Sequence, residues 1–183
     1  MTQVCSRDTP TREKIARITA AFPSLDPDAL FSYVALIHTA ATRIAEDERF
    51  LARYGLTQGR FWILLHLYQA VLAGEKGVNP SELASRSNVS RATITGLIDH
   101  LIRDGQVQRV RSEIDRRRLI VTPTRKGLRL IRKIVPAHGG RISRLMRALT
   151  PREQKTLVRL LEKISQSAAA LADNKPPRKS LRR

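Results

Sequence analysis

The chain has 183 residues, 42% of them apolar, enough to bury a core as one domain or two small interleaved parts without covalent staples. Its 34 Lys and Arg against 16 Asp and Glu leave a formal charge of +18, which favours a polyanionic partner: nucleic acid, an anionic membrane or an acidic protein. Aromatic residues make up only 4%, which argues against single-strand binding on stacked rings, and the one cysteine, Cys5, rules out an intrachain disulfide framework.

In chain order, residues 12–22 predict a short helix that stops before Pro23. Cys5 lies ahead of it, in an end read as flexible, and is expected to be an inert thiol rather than an oxidation sensor. This end carries charge and no apolar run, so it is not expected to act as a signal peptide. Asp26-Pro27 reads as an N-cap with proline at the first helical position. From there Leu30, Tyr33, Val34, Ile37, Ala41 and Ile44 recur at helical spacing to about Arg53, and Gly55 ends the element. Thr57 caps a helix with Phe61, Leu64, Leu65 and Leu67, which fades by Gly74. Its apolar run contains His66 and Gln69 and is too short to span a bilayer.

Asn79-Pro80-Ser81-Glu82 is a capping-box-like start for a short helix over residues 80–86. Ser87-Asn88-Val89 predicts a turn, with Asn88 as the left-handed residue. Ser90 caps the next helix, whose apolar face is Ile94, Leu97, Ile98 and Leu101, expected to dock on Leu83 and Ala84. The periodicity then changes. Residues 107–111 and 119–122 read as strands flanking the charged loop 112–118. Thr124 caps a long helix that Pro136 is expected to kink, and Thr150-Pro151-Arg152-Glu153 opens the last helix. Residues 173–183 are basic and proline-containing, expected to be disordered, and serve as phosphate contacts or a solubilising end.

Short helix, tight turn, helix, strand, charged loop, strand is the order of a winged helix-turn-helix. The fold class expected is therefore mainly α with a small β-wing, plus a helical dimerisation region. Its second helix has the width of a DNA major groove. Docking its apolar face leaves Ser90, Arg91, Thr93, Thr95, Gly96 and His100 outward, all small or hydrogen-bonding. Arg111 closes the first strand, and Asp115, Arg116, Arg117 and Arg118 form the loop that follows. Three adjacent arginines repel one another unless an anion is near. A narrow minor groove accepts inserted arginine, and Asp115 can hold one of them in position. The competing readings are a helical hairpin with a solvated face and a solvated charge run.

From about residue 30 to residue 170 the chain resembles the multiple antibiotic resistance regulator (MarR) family. The resemblance rests on Pro80-Ser81-Glu82-Leu83-Ala84, on Val89-Ser90-Arg91-Ala92-Thr93-Ile94-Thr95-Gly96-Leu97, on Asp115-Arg116-Arg117 and on Thr124-Arg125-Lys126-Gly127. It implies that Asp115 and Arg117 take the places of the family's Asp-x-Arg wing, with Arg117 in the minor groove and the helix over 90–103 in the major groove. It implies a homodimer built by the N- and C-terminal helices. It also implies a crevice for small aromatic effectors, for which Tyr33, His38, Trp62 and His66 are the candidate lining, alongside Phe31 and Tyr68; the competing reading is that these are core side chains. Ser112 stands where the family often has a further aspartate, Asn88 where a turn glycine is common, and Pro123 where leucine is common.

The regions expected are an extension over 1–24, a dimerisation region over 25–56 and 126–172, a DNA-binding module over 57–125, and a tail over 173–183. Independently of the resemblance, the terminal helices carry more apolar surface than the small module can cover, which favours a dimer. The histidines do not cluster at metal spacing, no catalytic triad or phosphate-cradling loop is present, and no cofactor is expected. The sequence therefore points to a cytoplasmic, non-enzymatic regulator, expected to be a repressor that a small-molecule effector relieves from a palindromic double-stranded operator, with no membrane role. The alternative is a nucleoid or RNA-binding protein without sequence choice.

Overall fold

A computed structural model describes residues 11–111 and 119–173. Cys5, the loop 112–118 and the basic tail lie outside them. Among the described residues, seven helices and one hairpin follow in order: α1 (Arg12–Ala21), α2 (Pro27–Ala52), α3 (Gln58–Leu72), α4 (Pro80–Arg86), α5 (Arg91–Arg103), β1 (Val107–Arg111), β2 (Leu119–Pro123), α6 (Arg125–Met146) and α7 (Pro151–Asp173). The chain divides into two compact units, residues 1–132 and 133–183.

In the first unit each helix starts where a side chain can satisfy its orphan amides. Thr11, Asp26, Thr57, Asn79 and Ser90 accept from the backbone N–H of Lys14, Asp28 and Ala29, Arg60, Ser81, and Thr93, respectively. Helix α1 buries Ile15 and Thr19 and contacts α2, with Arg12 paired to Asp28 at 2.8 Å and lying over the Phe31 ring. The core is assembled from Leu51 and Leu56, then Phe61, Ile63, Leu64 and Leu67 of α3, Leu83 of α4, and Ile94, Ile98 and Leu101 of α5. Val107, Val121 and Ile131 complete it.

The strands pair antiparallel, Val107 opposite Pro123 and Arg111 opposite Leu119. Val78 adds a third partner that periodicity does not reveal: its N–H donates to the Val121 carbonyl at 2.9 Å and its own carbonyl accepts from Val121 N–H at 2.8 Å. This isolated bridge ties the segment entering α4 to β2. Asn88 holds φ +49°, the left-handed conformation expected of it, and completes the turn between α4 and α5.

Thr124 joins the hairpin to α6. Its hydroxyl donates to Gly105 O at 2.7 Å and accepts from Gly127 N–H at 3.1 Å. Helix α6 continues through Pro136 without a break. The division between units falls just after Arg132, whose carbonyl is the one that Pro136, lacking an N–H, cannot bond.

The second unit contains the rest of α6 and all of α7. Gln154 Nε2 donates to Met146 O at 2.9 Å and to Leu149 O at 3.1 Å, closing the corner between them. Thr150 and Glu153 form the expected capping box: Glu153 accepts from Thr150 N–H at 2.7 Å and its own N–H donates to Thr150 Oγ1 at 3.3 Å. Thr150 N–H, together with the Thr150 hydroxyl, which also donates to Glu153 Oε2 at 2.7 Å, holds the Glu153 carboxyl below its ordinary value of 4.5, the backbone N–H contributing most. Along α7, Leu157, Leu160, Leu161 and Ile164 form an apolar stripe that stays exposed, Ile164 by half. No helix among the described residues is long and apolar enough to cross a membrane.

Candidate nucleic-acid interface

Helix α5 is amphipathic. Ile94, Ile98 and Leu101 are buried, while Ser90, Arg91, Thr93, Thr95, Gly96 and His100 are all exposed. The helix contacts α4, α3 and β1 on its buried side. Leu97 departs from the expected docking face: it is only half-buried and turns toward α3, where its methyls approach the Cα side of Gly59. The reason is the 100° step of the helix, which puts Leu97 at the margin of the stripe centred on Ile94, Ile98 and Leu101.

The exposed face is locally ordered. Ser90 and Thr93 share a hydroxyl hydrogen bond at 2.8 Å, and Thr95 Oγ1 donates to Arg91 O at 2.9 Å. Arg103 meets His100 Nδ1 at 2.7 Å. A guanidinium only donates, so Nδ1 is the acceptor in this bond. Beyond its chain neighbours and its own helix backbone, no atom would lie within 4 Å of a Cβ added at Gly96, so the backbone there is open to an approaching surface.

The hairpin follows at once. Arg111 is exposed at the end of β1. Asp115, Arg116, Arg117 and Arg118 lie outside the described residues. Three residues that the sequence reading did not single out belong to this surface. Asp99 on α5 pairs with Arg109 of β1 at 2.7 Å, and Arg103 pairs with His100 as above. The outward helical angle of Asp99, one turn beyond Thr95, was the available signal.

Of the candidate effector residues, the structure brings two together. Trp62 and His66, one turn apart on α3, have ring centroids 6.3 Å apart. They line a pocket of about 470 Å³ with Gly59, Arg86, Val89 and Leu97. Tyr33 and His38 are on α2, outside the residues that line it, with Tyr33 exposed. Arg86 also pairs with Glu82 at 2.5 Å. Among the described residues no group of three or more His, Cys, Asp or Glu is arranged to hold a metal ion.

A helix-turn-helix whose second helix faces outward and is followed by an antiparallel hairpin defines a winged helix-turn-helix protein. The MarR family model matches residues 56–119, the span from α3 to the start of β2. The chain is 30% identical to the HTH-type transcriptional repressor YetL of Bacillus subtilis, over 90% of this chain and 96% of that protein. Its fold is that of a crystallised MarR family transcription regulator (TM-score 0.71, 20% identity, covering 81% of this chain and 95% of that one). It is also that of MepR of S. aureus in a DNA complex (TM-score 0.66, 19% identity, 75% and 97% covered). The chain belongs to the MarR family and is a DNA-binding transcriptional regulator.

Proposed function

We propose that this regulator is a repressor that binds a palindromic operator as a symmetric dimer and leaves it when a small aromatic effector binds. One observation carries the DNA-reading part: α5 turns Arg91, Thr93, Thr95 and Gly96 outward on one face while its opposite face is locked into the core. In this reading Ser90, Arg91, Thr93, Thr95, Gly96 and His100 face the major groove. Arg111 and the loop residues Asp115, Arg116, Arg117 and Arg118 serve the backbone and the neighbouring minor groove. The exposed stripe on α7 supports the dimer, since a second copy would cover it, and two reading helices would then stand about one duplex turn apart, roughly 34 Å. YetL and MepR lend the reading further support: the first is named a transcriptional repressor and the second was crystallised with DNA. The protein acts where that DNA is, in the cytoplasm.

The effector site is the Trp62–His66 pocket. Because Leu97 and Val89 belong to its wall, a ligand there touches the reading helix and the turn before it. Release then requires tighter binding to the DNA-free arrangement than to the bound one.

Selection of duplexes from a random pool tests the proposal. A palindromic consensus is expected, with Arg91→Ala or Thr95→Ala changing the preferred bases and costing about 1–3 kcal/mol at that position. Equal affinity for scrambled duplex or RNA would instead make the chain a non-selective nucleic-acid binder. Trp62 is the one tryptophan, so aromatic acids that quench its fluorescence should also release the selected duplex.

A further inference from the structure

The outward face of α5 contains one anion. At 100° per residue Asp99 falls between Thr95 and Arg103 and next to Gly96, among the residues assigned above to DNA. A bare carboxylate there would repel phosphate. It is not bare: Arg109 Nη2 donates to Asp99 Oδ1 at 2.7 Å. Arg109 is the central residue of β1, opposite Val121, so the pair runs from the reading helix to the first strand of the wing across the turn at Asp104 and Gly105. The other side of that turn is also tied, with Arg60 on Asp104 at 3.2 Å and Lys126 Nζ donating to Asp104 O at 2.7 Å. The Asp99 and Arg109 side chains keep 48% and 37% of their exposure. An ion pair that wet adds little to stability. What it does fix is where a strand stands relative to a helix.

We propose that Asp99 and Arg109 form a positioning strap that holds the wing strand against the reading helix, so that both reach the duplex in register. The strap thereby contributes to discrimination between duplex sequences rather than to overall affinity. It rests on the DNA face assigned under the proposed function. Neither residue needs to touch a base.

The test uses the full-length protein, a duplex it selects from a random pool, and a scrambled duplex of the same length and composition at one ionic strength. Asp99→Asn is expected to lower the ratio of selected to scrambled affinity about tenfold. Affinity for the scrambled duplex should stay level or rise, because a negative charge has left the surface. The thermal midpoint should barely move. The reversed pair, Asp99→Arg with Arg109→Asp, should recover most of the ratio, which neither single variant can do.

Equal strengthening on both duplexes by Asp99→Asn would reduce the residue to a charge effect and overturn the strap. So would a changed base preference on reselection with Asp99→Asn, which would make Asp99 a base reader, or a reversed pair no better than the single variants. Wild-type protein that cannot distinguish the two duplexes would overturn the DNA-reading assignment itself, and the strap with it, before any variant is measured.

Discussion

A Cβ built at Gly127 would stand 2.1 Å from the Gln106 carbonyl oxygen, whereas one at Gly96 would meet nothing within 4 Å. These two glycines should therefore respond in opposite ways to the same substitution. Gly127→Ala forces the start of α6 off the hairpin and should cost about 2–3 kcal/mol in denaturant unfolding. Gly96→Ala should add up to about 1 kcal/mol of stability, since alanine is the better helix former, while weakening affinity for the selected duplex. A Gly96→Ala variant that bound duplex as well as wild type would show that DNA does not approach the helix there. Residue-level legibility was uneven for the same reason. Asn88 announced its conformation, because few residues tolerate φ +49° and the turn needed one. The contact of Gly127 with Gln106 joins positions distant in sequence, and no local pattern encodes it. The outward angle of Asp99 was readable but its pairing with Arg109 was not: each looks like an ordinary surface charge until helix and strand meet.

Two starts with almost the same spelling behave differently at the scale of the element. Asn79-Pro80-Ser81-Glu82 and Thr150-Pro151-Arg152-Glu153 both place a carboxylate at the third helical position. Glu153 reaches back to Thr150 N–H, while Glu82 reaches forward to Arg86 at 2.5 Å. The competitor explains it: residue 86 is arginine, one turn on from Glu82, whereas the matching residue after Glu153 is Leu157. Because folding lowers the Glu153 pKa, its stabilisation is complete above the ordinary 4.5 and is lost as pH falls through the lower folded value. Thermal midpoints of wild type and Glu153→Gln should therefore differ at neutral pH and converge in acid; a constant gap across that range would contradict the capping role. Most element positions were readable because caps and periodicity are local. Val78 was not, since one bridging residue has no period to display.

Among the described residues, α5 buries its apolar face in the core, while α7 leaves its own apolar face uncovered. Leu157, Leu160, Leu161 and Ile164 leave α7 with a face that water covers in a single protomer. The surplus of apolar surface in the terminal helices was visible in the sequence. The wing tip was legible only as a run of charge, and its geometry lies outside the described residues. Leu161→Glu places a charge in the stripe and should give a protomer-sized species in sedimentation. Its affinity for a two-half-site duplex should fall by roughly a hundredfold or more, to that of one module acting alone. A variant that stayed dimeric would move the subunit contact off α7.

Those α7 leucines also bear on gene dosage. While protomers are scarce and mostly unpaired, the species able to fill an operator accumulates as the square of the protomer level, so halving synthesis cuts it about fourfold. Small changes in expression, or in the rate at which lone chains are destroyed, would then be amplified in the occupancy of the operator.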